Sequence, residues 1–225
     1  MENTNDKNKM KGGANHNVEI YVQLGLIFLL LVFIAFNLGR IYTAQGSGEG
    51  SITGFATVSA SEIIPSGVPA IYGIELEVRY DDVSPNNPQL ADQTISKLSQ
   101  YEDMQLDSTQ MSRYIKIGSS ISCEYCCGAK AIIFSNGERA CGCAHSFAMR
   151  GLAKYLLTKH PDMSDEEILS ELGKWKVLFF PGVHEQKAAI LKAQGIETNY
   201  INLASNLYRG IEKGQSSSGQ MVGGC

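Results

Sequence analysis

The chain lacks any dense run of Lys and Arg. Its 19 basic residues are outnumbered by 23 acidic ones, which gives a net charge of −4. Binding to nucleic-acid phosphates needs a concentrated basic surface, so the sequence argues against nucleic acid as a partner. The motifs of several enzyme classes are also absent, namely G-x-S-x-G, the phosphate-binding loop, G-x-G-x-x-G and H-E-x-x-H. Enzymatic activity therefore has no support from these motifs.

One long segment is almost free of charge. Residues Val18 to Leu38 contain a single charged side chain, Glu19, at the edge of an otherwise apolar run. As a helix with about 1.5 Å per residue, this run would extend roughly 30 Å, the thickness of the hydrocarbon core of a bilayer. We therefore predict a transmembrane helix over Val18–Leu38, with the membrane as a partner.

The flanking charges predict the orientation of this helix. Three lysines precede it, whereas Arg40 alone follows closely. The positive-inside rule then leaves the N-terminus in the cytoplasm and everything after Arg40 outside the cell. In the exit sequence Arg40–Ala44, Tyr42 stands where a signal-peptidase site needs a small residue, which predicts an uncleaved signal anchor and a single-pass protein of the cell membrane.

Composition divides the rest of the chain into four segments. Residues 1–17 are polar, and we predict a disordered cytoplasmic arm. Residues 39–66 include a Gly/Ser-rich stretch and form a flexible spacer, and residues 67–213 form the folded extracytoplasmic domain. Residues 214–225 form a flexible tail that ends in Cys225.

Hydrophobic periodicity predicts a mixed α+β domain. Alternation and short apolar runs predict strands at Ile74–Tyr80, Tyr114–Ile117, Val177–Phe180 and Ile196–Leu203. Helical spacing predicts helices at Gln89–Tyr101, Ser146–Lys159 and Glu185–Gln194. The capping box Ser164–Glu167 predicts the start of a further helix.

Five of the six cysteines lie in one stretch that ends at His145. The first group is C-x-x-C-C, and the second, which includes the histidine, is C-x-C-x-H. Between them, Lys130–Phe134 and Arg139–Ala140 resemble short strands, and Asn136-Gly137 is a strong turn signal, which together predict a β-hairpin. Because a hairpin brings its ends together, we expect the two groups to lie within a few ångströms of each other. Their members are Cys123, Cys126 and Cys127, and then Cys141, Cys143 and His145.

The order of a thiol knuckle, a hairpin and a ligand pair that leads into a helix is typical of a treble-clef zinc site. Zinc prefers four ligands in a tetrahedron, and structural sites use four cysteines or three cysteines and one histidine. Six candidate ligands exceed the needs of one closed site, which suggests an open site, a second metal or a thiol kept for redox chemistry. The first expected set is Cys123, Cys126, Cys141 and Cys143, with His145 or Cys127 as substitutes.

Other chemistry fits the same residues. Thiolate ligands also select copper(I), and four thiolates can hold an iron–sulfur cluster. An even number of cysteines outside the cell also favours disulfides, although a bond between the adjacent Cys126 and Cys127 would be strained. A catalytic zinc site would need an open coordination position beside a carboxylate such as Glu124 or Glu138, which flank the cluster.

The last residue, Cys225, stands at the end of the Gly/Ser-rich tail. An extended arm of about ten residues reaches roughly 33 Å. We therefore treat Cys225 as a possible mobile thiol that exchanges metal or disulfides with the main cluster.

Four runs of sequence carry a resemblance to a known family: GVPAIYGIEL, YIKIGSSISCEYCCGAK, ACGCAHSFAMRGLAKYLL and EEILSELGKWKVLFFPG. The chain resembles uncharacterised membrane-anchored archaeal proteins with a C-x-x-C-C…C-x-C-x-H motif over most of residues 67–182. It is also similar in outline to bacterial PCYCGC-motif proteins, although that string is missing here. The resemblance implies that the cluster and the two helices after it belong together, and it implies no substrate.

These observations predict a single-pass protein with a small α+β domain, built around a treble-clef-like Cys/His metal site. The expected function is metal binding outside the cell, with zinc in a structural role or copper in a handling role. The alternatives are thiol–disulfide exchange at the membrane surface and a tethered interaction module whose metal only holds the fold.

Overall fold

The computed structural model describes residues 20–31, 58–213 and 221–223. The chain divides into two compact units, Met1–Ile52 and Thr53–Cys225. In the first unit, helix α1 covers residues 20–31 and its side chains are exposed. Within the described ranges, no helix combines the length and apolar character needed to cross a bilayer. The transmembrane helix that was part of the predicted fold is therefore not supported, and its two ends, like the predicted arm 1–17, lie outside the described residues.

The second unit is helical, so the predicted α+β class is wrong. Among the described residues, β pairing is limited to two isolated bridges, Ile121 with Ser205 and Ile133 with Arg139. Turns and two short 3₁₀ helices, Tyr80–Asp82 and Asn206–Tyr208, connect the α-helices. The α-helices are α2 (Ala60–Ile63), α3 (Pro88–Ser99), α4 (Ser108–Ser119), α5 (Ala144–Lys159), α6 (Asp165–Phe179), α7 (Pro181–Ala193) and α8 (Tyr200–Ala204).

Side-chain caps explain where several of these helices begin. The predicted capping box of Ser164 and Glu167 opens α6, and a second box of Asp107 and Gln110 opens α4. The Asn199 side chain caps α8 by accepting a hydrogen bond from the Asn202 N–H at 2.9 Å. Each cap satisfies an N–H group that has no partner inside its helix.

The four predicted strands outside the cysteine region are corrected as follows. Tyr114–Ile117 lies inside α4, Val177–Phe180 continues α6 to its C-cap, and Ile196–Leu203 leads into α8. Ile74–Tyr80 forms turns and the start of a 3₁₀ helix. The alternation of apolar and charged residues in this segment still predicts burial in part, since Leu76, Val78 and Tyr80 are buried while Ile74 is exposed. A short apolar run buries its residues equally well on one side of a helix or turn, so period alone does not identify a strand.

Helix α5 is central to the unit, because it packs against α3, α4 and α6. Its buried side chains include Met149, Leu152 and Leu156. A second, smaller apolar cluster joins Ile63 of α2 to residues of α6, α7 and α8. The N-terminus of α5 points into the cysteine-rich stretch, so the most buried helix of the unit also positions the candidate site.

Candidate metal centre

The predicted turn at Asn136-Gly137 is present, although its flanking strands are reduced to a single bridge. The Phe134 carbonyl accepts a hydrogen bond from the Gly137 N–H at 2.9 Å. Across the turn, the Phe134 N–H donates a hydrogen bond to the Glu138 carbonyl at 2.8 Å. Gly137 has φ of +86°, a left-handed conformation that glycine adopts without the strain other residues incur. The turn folds the second cysteine group back towards the first, as the sequence predicts.

The second group enters helix α5 directly. Cys143 is the N-cap residue, and its sulfur accepts a hydrogen bond from the Ser146 N–H at 3.4 Å. His145 lies in the first turn of the helix and is fully buried. The exposed N–H groups and the dipole of a helix N-terminus favour negative charge, so this position favours a thiolate on Cys143.

Four side chains meet at one point. One ligand atom from each of Cys123, Cys126, Cys143 and His145 lies within 4.8 Å of every other. In a tetrahedral zinc site, Zn–S bonds of about 2.3 Å place two sulfurs about 3.8 Å apart. The spacing of these atoms is therefore suitable for one metal ion. Cys123, Cys143 and His145 are buried, and Cys126 is half-buried.

A second group consists of Cys127, Cys141 and Cys143. Here Cys127 and Cys141 form a disulfide, and the Cys143 sulfur lies 3.4 Å from that of Cys141. Cys127 is exposed, whereas the other two residues are buried. Cys126 is also disulfide-bonded in this structure, while Cys123 and Cys143 are free thiols. The cluster is therefore partly oxidised in this structure, and Cys126 can bind a metal only after its disulfide is reduced.

This grouping differs from the ligand set placed first from the sequence. Cys141 pairs with Cys127, and His145 takes the fourth position beside Cys123, Cys126 and Cys143. The sequence could not separate these sets because all six residues fall within the reach of one turn. The remaining cysteine, Cys225, lies outside the described residues.

The two free thiols differ in acidity. The sulfurs of Cys123 and Cys143 are 3.2 Å apart and share a hydrogen bond. The hydrogen bond shared with Cys123, together with hydrogen bonds that involve His145 and Ser146, lowers the pKa of Cys143. The same shared bond, together with burial, raises the pKa of Cys123. Cys143 is thus the thiol that ionises first, in agreement with its place at the helix N-terminus.

Buried charges lie next to the first cysteine group. The Glu124 carboxylate, between two candidate ligands in the chain, is surrounded by the Lys176 and Lys187 amines at 3.7 and 3.8 Å and by the Arg209 guanidinium at 3.5 Å. Burial lowers the pKa of Lys176 to about 8, while the charge of the Glu124 carboxylate acts in the opposite direction. These cations supply positive charge near a group of thiolates, which an anionic metal–thiolate centre requires in a buried position.

The structure also identifies a residue that sequence reasoning missed. Arg150 of α5 is fully buried, and its guanidinium donates to the Ile132 carbonyl at 2.9 Å and the Cys141 carbonyl at 2.8 Å. These carbonyls belong to the two sides of the turn, so the hydrogen bonds of Arg150 connect the two sides to each other. A basic residue on the apolar face of a predicted helix was the signal for this role, since buried arginines are rare unless they are paired.

Comparison with protein-family models, curated proteins and solved structures finds no match.

Proposed function

We propose that this domain binds one zinc ion through Cys123, Cys126, Cys143 and His145. The observation that carries the proposal is the convergence of four ligand atoms within 4.8 Å. The metal would connect the first cysteine group, which precedes the Asn136-Gly137 turn, to the N-terminal residues of helix α5. Its role in this proposal is to hold the fold.

The donor set supports zinc over the alternatives. Three thiolates and one imidazole are typical of structural zinc sites, in which all four positions are filled by protein. A [4Fe–4S] cluster uses four thiolates, one more than this group supplies. Copper(I) favours soft sulfur donors and lower coordination, so the buried imidazole argues for zinc.

Metal binding can be measured on the full chain. The protein is reduced, freed of metal and titrated with Zn²⁺ in competition with a chromophoric chelator, and Co²⁺ serves as a spectroscopic substitute. We expect one ion per chain and the visible spectrum of tetrahedral Co²⁺ with sulfur ligands. Cys123→Ser should lower the affinity strongly, whereas Cys127→Ser, the same exchange outside the ligand set, should not. Failure of the reduced wild type to bind either ion would overturn the proposal.

A second candidate function is thiol–disulfide exchange, which the bond between exposed Cys127 and buried Cys141 favours. A thiolate of a dithiol partner would attack the Cys127 sulfur, and Cys141 would leave as a thiolate. The second thiol of the partner would then attack the mixed disulfide and release Cys127. The partner is oxidised to a disulfide and the protein is reduced by two electrons, so the step balances.

This second function predicts that the Cys127–Cys141 bond of the oxidised protein converts one equivalent of a dithiol peptide to its disulfide. Cys127→Ser should remove that equivalent and leave zinc binding by the reduced protein unchanged. A Cys127–Cys141 bond that resists an excess of dithiol peptide would remove the second candidate and leave the first untouched.

A further inference from the structure

Three described residues near the C-terminus lie against the candidate metal centre. Residues Met221–Gly223, here called the C-terminal strap, lie beside α6 and α5. The Val222 N–H donates to the Phe179 carbonyl at 2.9 Å, and the Val222 side chain is only 2% exposed. The Val222 carbonyl lies 2.8 Å from Nε2 of His145. The strap is thus attached by both backbone groups of one residue.

The contact with His145 decides which ring nitrogen carries the proton. A backbone carbonyl only accepts hydrogen bonds, so Nε2 must be the donor. In the neutral imidazole, Nδ1 then has the lone pair and is the nitrogen that can bind a metal. The Phe179 and Phe180 rings, at 4.6 and 5.0 Å from the imidazole ring, further restrict its orientation.

We propose that the C-terminal strap is an outer part of the metal centre, in which the Val222 carbonyl positions His145 so that Nδ1 binds the ion. This inference rests on the proposed function, because it assigns a tautomer and a support to one of its four ligands. Histidine ligands generally donate their other ring N–H to a carbonyl or carboxylate. Here that partner comes from the far end of the chain, 77 residues away.

Gly223 is adapted to this arrangement. Its φ of +82° is left-handed, and a Cβ at this position would lie 2.3 Å from the Ile95 side chain and 3.6 Å from Nε2 of His145. A larger residue would therefore have to push the strap away from α3 and from the histidine.

The test compares zinc affinities of reduced full-length variants. Val222→Asp places a charge in the buried position and should release the strap, whereas Met221→Asp adds the same charge at a residue that is 40% exposed. We expect a 10- to 100-fold loss of zinc affinity for Val222→Asp, the usual effect of losing an outer-shell partner, and little change for Met221→Asp. Truncation after residue 220, which removes the strap without adding charge, should match Val222→Asp.

Two further measurements separate positioning from general damage. Nitrogen-15 NMR of the zinc-bound wild type should show Nδ1 ligation and an Nε2–H that exchanges slowly with water, and this proton should exchange rapidly in Val222→Asp. Cys225→Ser keeps the strap but removes the thiol. If Cys225→Ser alone reproduced the loss on truncation, a sulfur ligand and not the carbonyl would be responsible, and the inference would be wrong.

The two proposals fail differently. Wild type that binds no zinc defeats the proposed function itself. Wild type that binds zinc through His145, with Val222→Asp and the truncated chain binding as tightly, defeats only the role of the strap.

Discussion

At the scale of single residues, the region around the cluster depends on a buried arginine. Besides the two carbonyls on either side of the turn, Arg150 forms an ion pair with Glu102, and both side chains are almost fully buried. The removal of one partner of such a pair leaves a buried charge without compensation. The cost of burying Arg150 is therefore offset only while Glu102 and both carbonyls are in place.

We expect Arg150→Met to lower the free energy of unfolding by about 3–5 kcal/mol, measured by urea denaturation. Arg139 also contacts Glu102, but it is half exposed, so Arg139→Met should cost less than about 1 kcal/mol. The double variant Arg150→Met/Glu102→Leu should be more stable than Arg150→Met, because it removes the buried carboxylate that Arg150→Met leaves with the half-exposed Arg139 as its ionic partner. Equal costs for the two single arginine variants would contradict this account.

Another buried residue predicts a pH dependence. The Nδ1 of His184 lies 2.8 Å from the Phe180 carbonyl, and burial, reinforced by the nearby Lys176 charge, holds the pKa of His184 well below its usual value. As the pH falls through about 6.5, the unfolded chain binds a proton at this histidine and the folded chain does not. The folded state therefore loses stability on acidification.

The oxidised, metal-free protein should lose about 1 kcal/mol through His184 between pH 7.5 and pH 5.5. His184→Gln removes the titrating group, so its stability should change less over that interval than that of wild type. Urea denaturation of both proteins at the two pH values gives the comparison. A variant with the same pH dependence as wild type would show that His184 binds its proton equally well in the folded and the unfolded chain.

At the scale of helices, the crossing of α3 and α5 depends on the absence of a side chain. A Cβ on Gly151 of α5 would lie 2.1 Å from the Leu98 carbonyl oxygen of α3, and that oxygen belongs to a helix backbone that cannot easily move. The two helices therefore approach more closely than any larger residue would permit.

Gly151→Ala should destabilise the domain by about 1–3 kcal/mol, the usual cost of overpacking a core. The direction of the change in stability is informative, because Ala in place of Gly inside a helix otherwise stabilises the protein by up to about 1 kcal/mol. Gly142→Ala, where nothing lies within 4 Å of the added carbon, should be nearly neutral. Thermal or urea unfolding of both variants decides the matter, and a more stable Gly151→Ala would disprove the close crossing.

The helices differ in how far the sequence predicts them. Those with long apolar spacing and a clear end signal, such as α5 and α6, are confirmed within a few residues. Four residues of helix α4, Tyr114–Ile117, were predicted as a strand, and the prediction overlooked the D-x-x-Q capping box at Asp107. Short runs carry little information about period, whereas caps specify where a helix begins.

At the scale of the whole molecule, sequence patterns did not predict the contacts that depend on how the helices pack against one another. The meeting of the two cysteine groups follows from one local turn and was predictable. The contact of Val222 with His145 and that of Arg150 with Ile132 depend on how helices pack, which spacing does not reveal. The predicted location outside the cell and the resemblance to archaeal proteins stay predictions.

The cluster offers two ways to fix the same stretch of chain. In the oxidised protein, the Cys127–Cys141 bond closes a loop with a sequence separation of 14. In the reduced protein, a metal held by the other ligand set would connect the same two sides of the turn. The oxidised and the reduced, zinc-bound states should therefore both be more stable than the reduced protein without metal.

We expect reduction in the presence of a chelator to lower the free energy of unfolding by about 3 kcal/mol through the loss of the Cys127–Cys141 bond, the contribution of a disulfide that closes a loop of this size, and further through the loss of the Cys126 disulfide. Zinc at 1,000 times its Kd should then add about 4 kcal/mol through binding to the folded state alone. Urea denaturation of the three states gives both values, and Cys123→Ser should lose the zinc effect but keep the disulfide effect. Helices α3, α5 and α6 should remain folded in all three states, because contacts such as the Trp175 Nε1–H donated to the Tyr72 hydroxyl at 2.7 Å stabilise the core without a cysteine. Hydrogen exchange should accordingly increase around residues 122–143 and not in these helices; global unfolding on chelation would instead make the metal a condition for the whole fold.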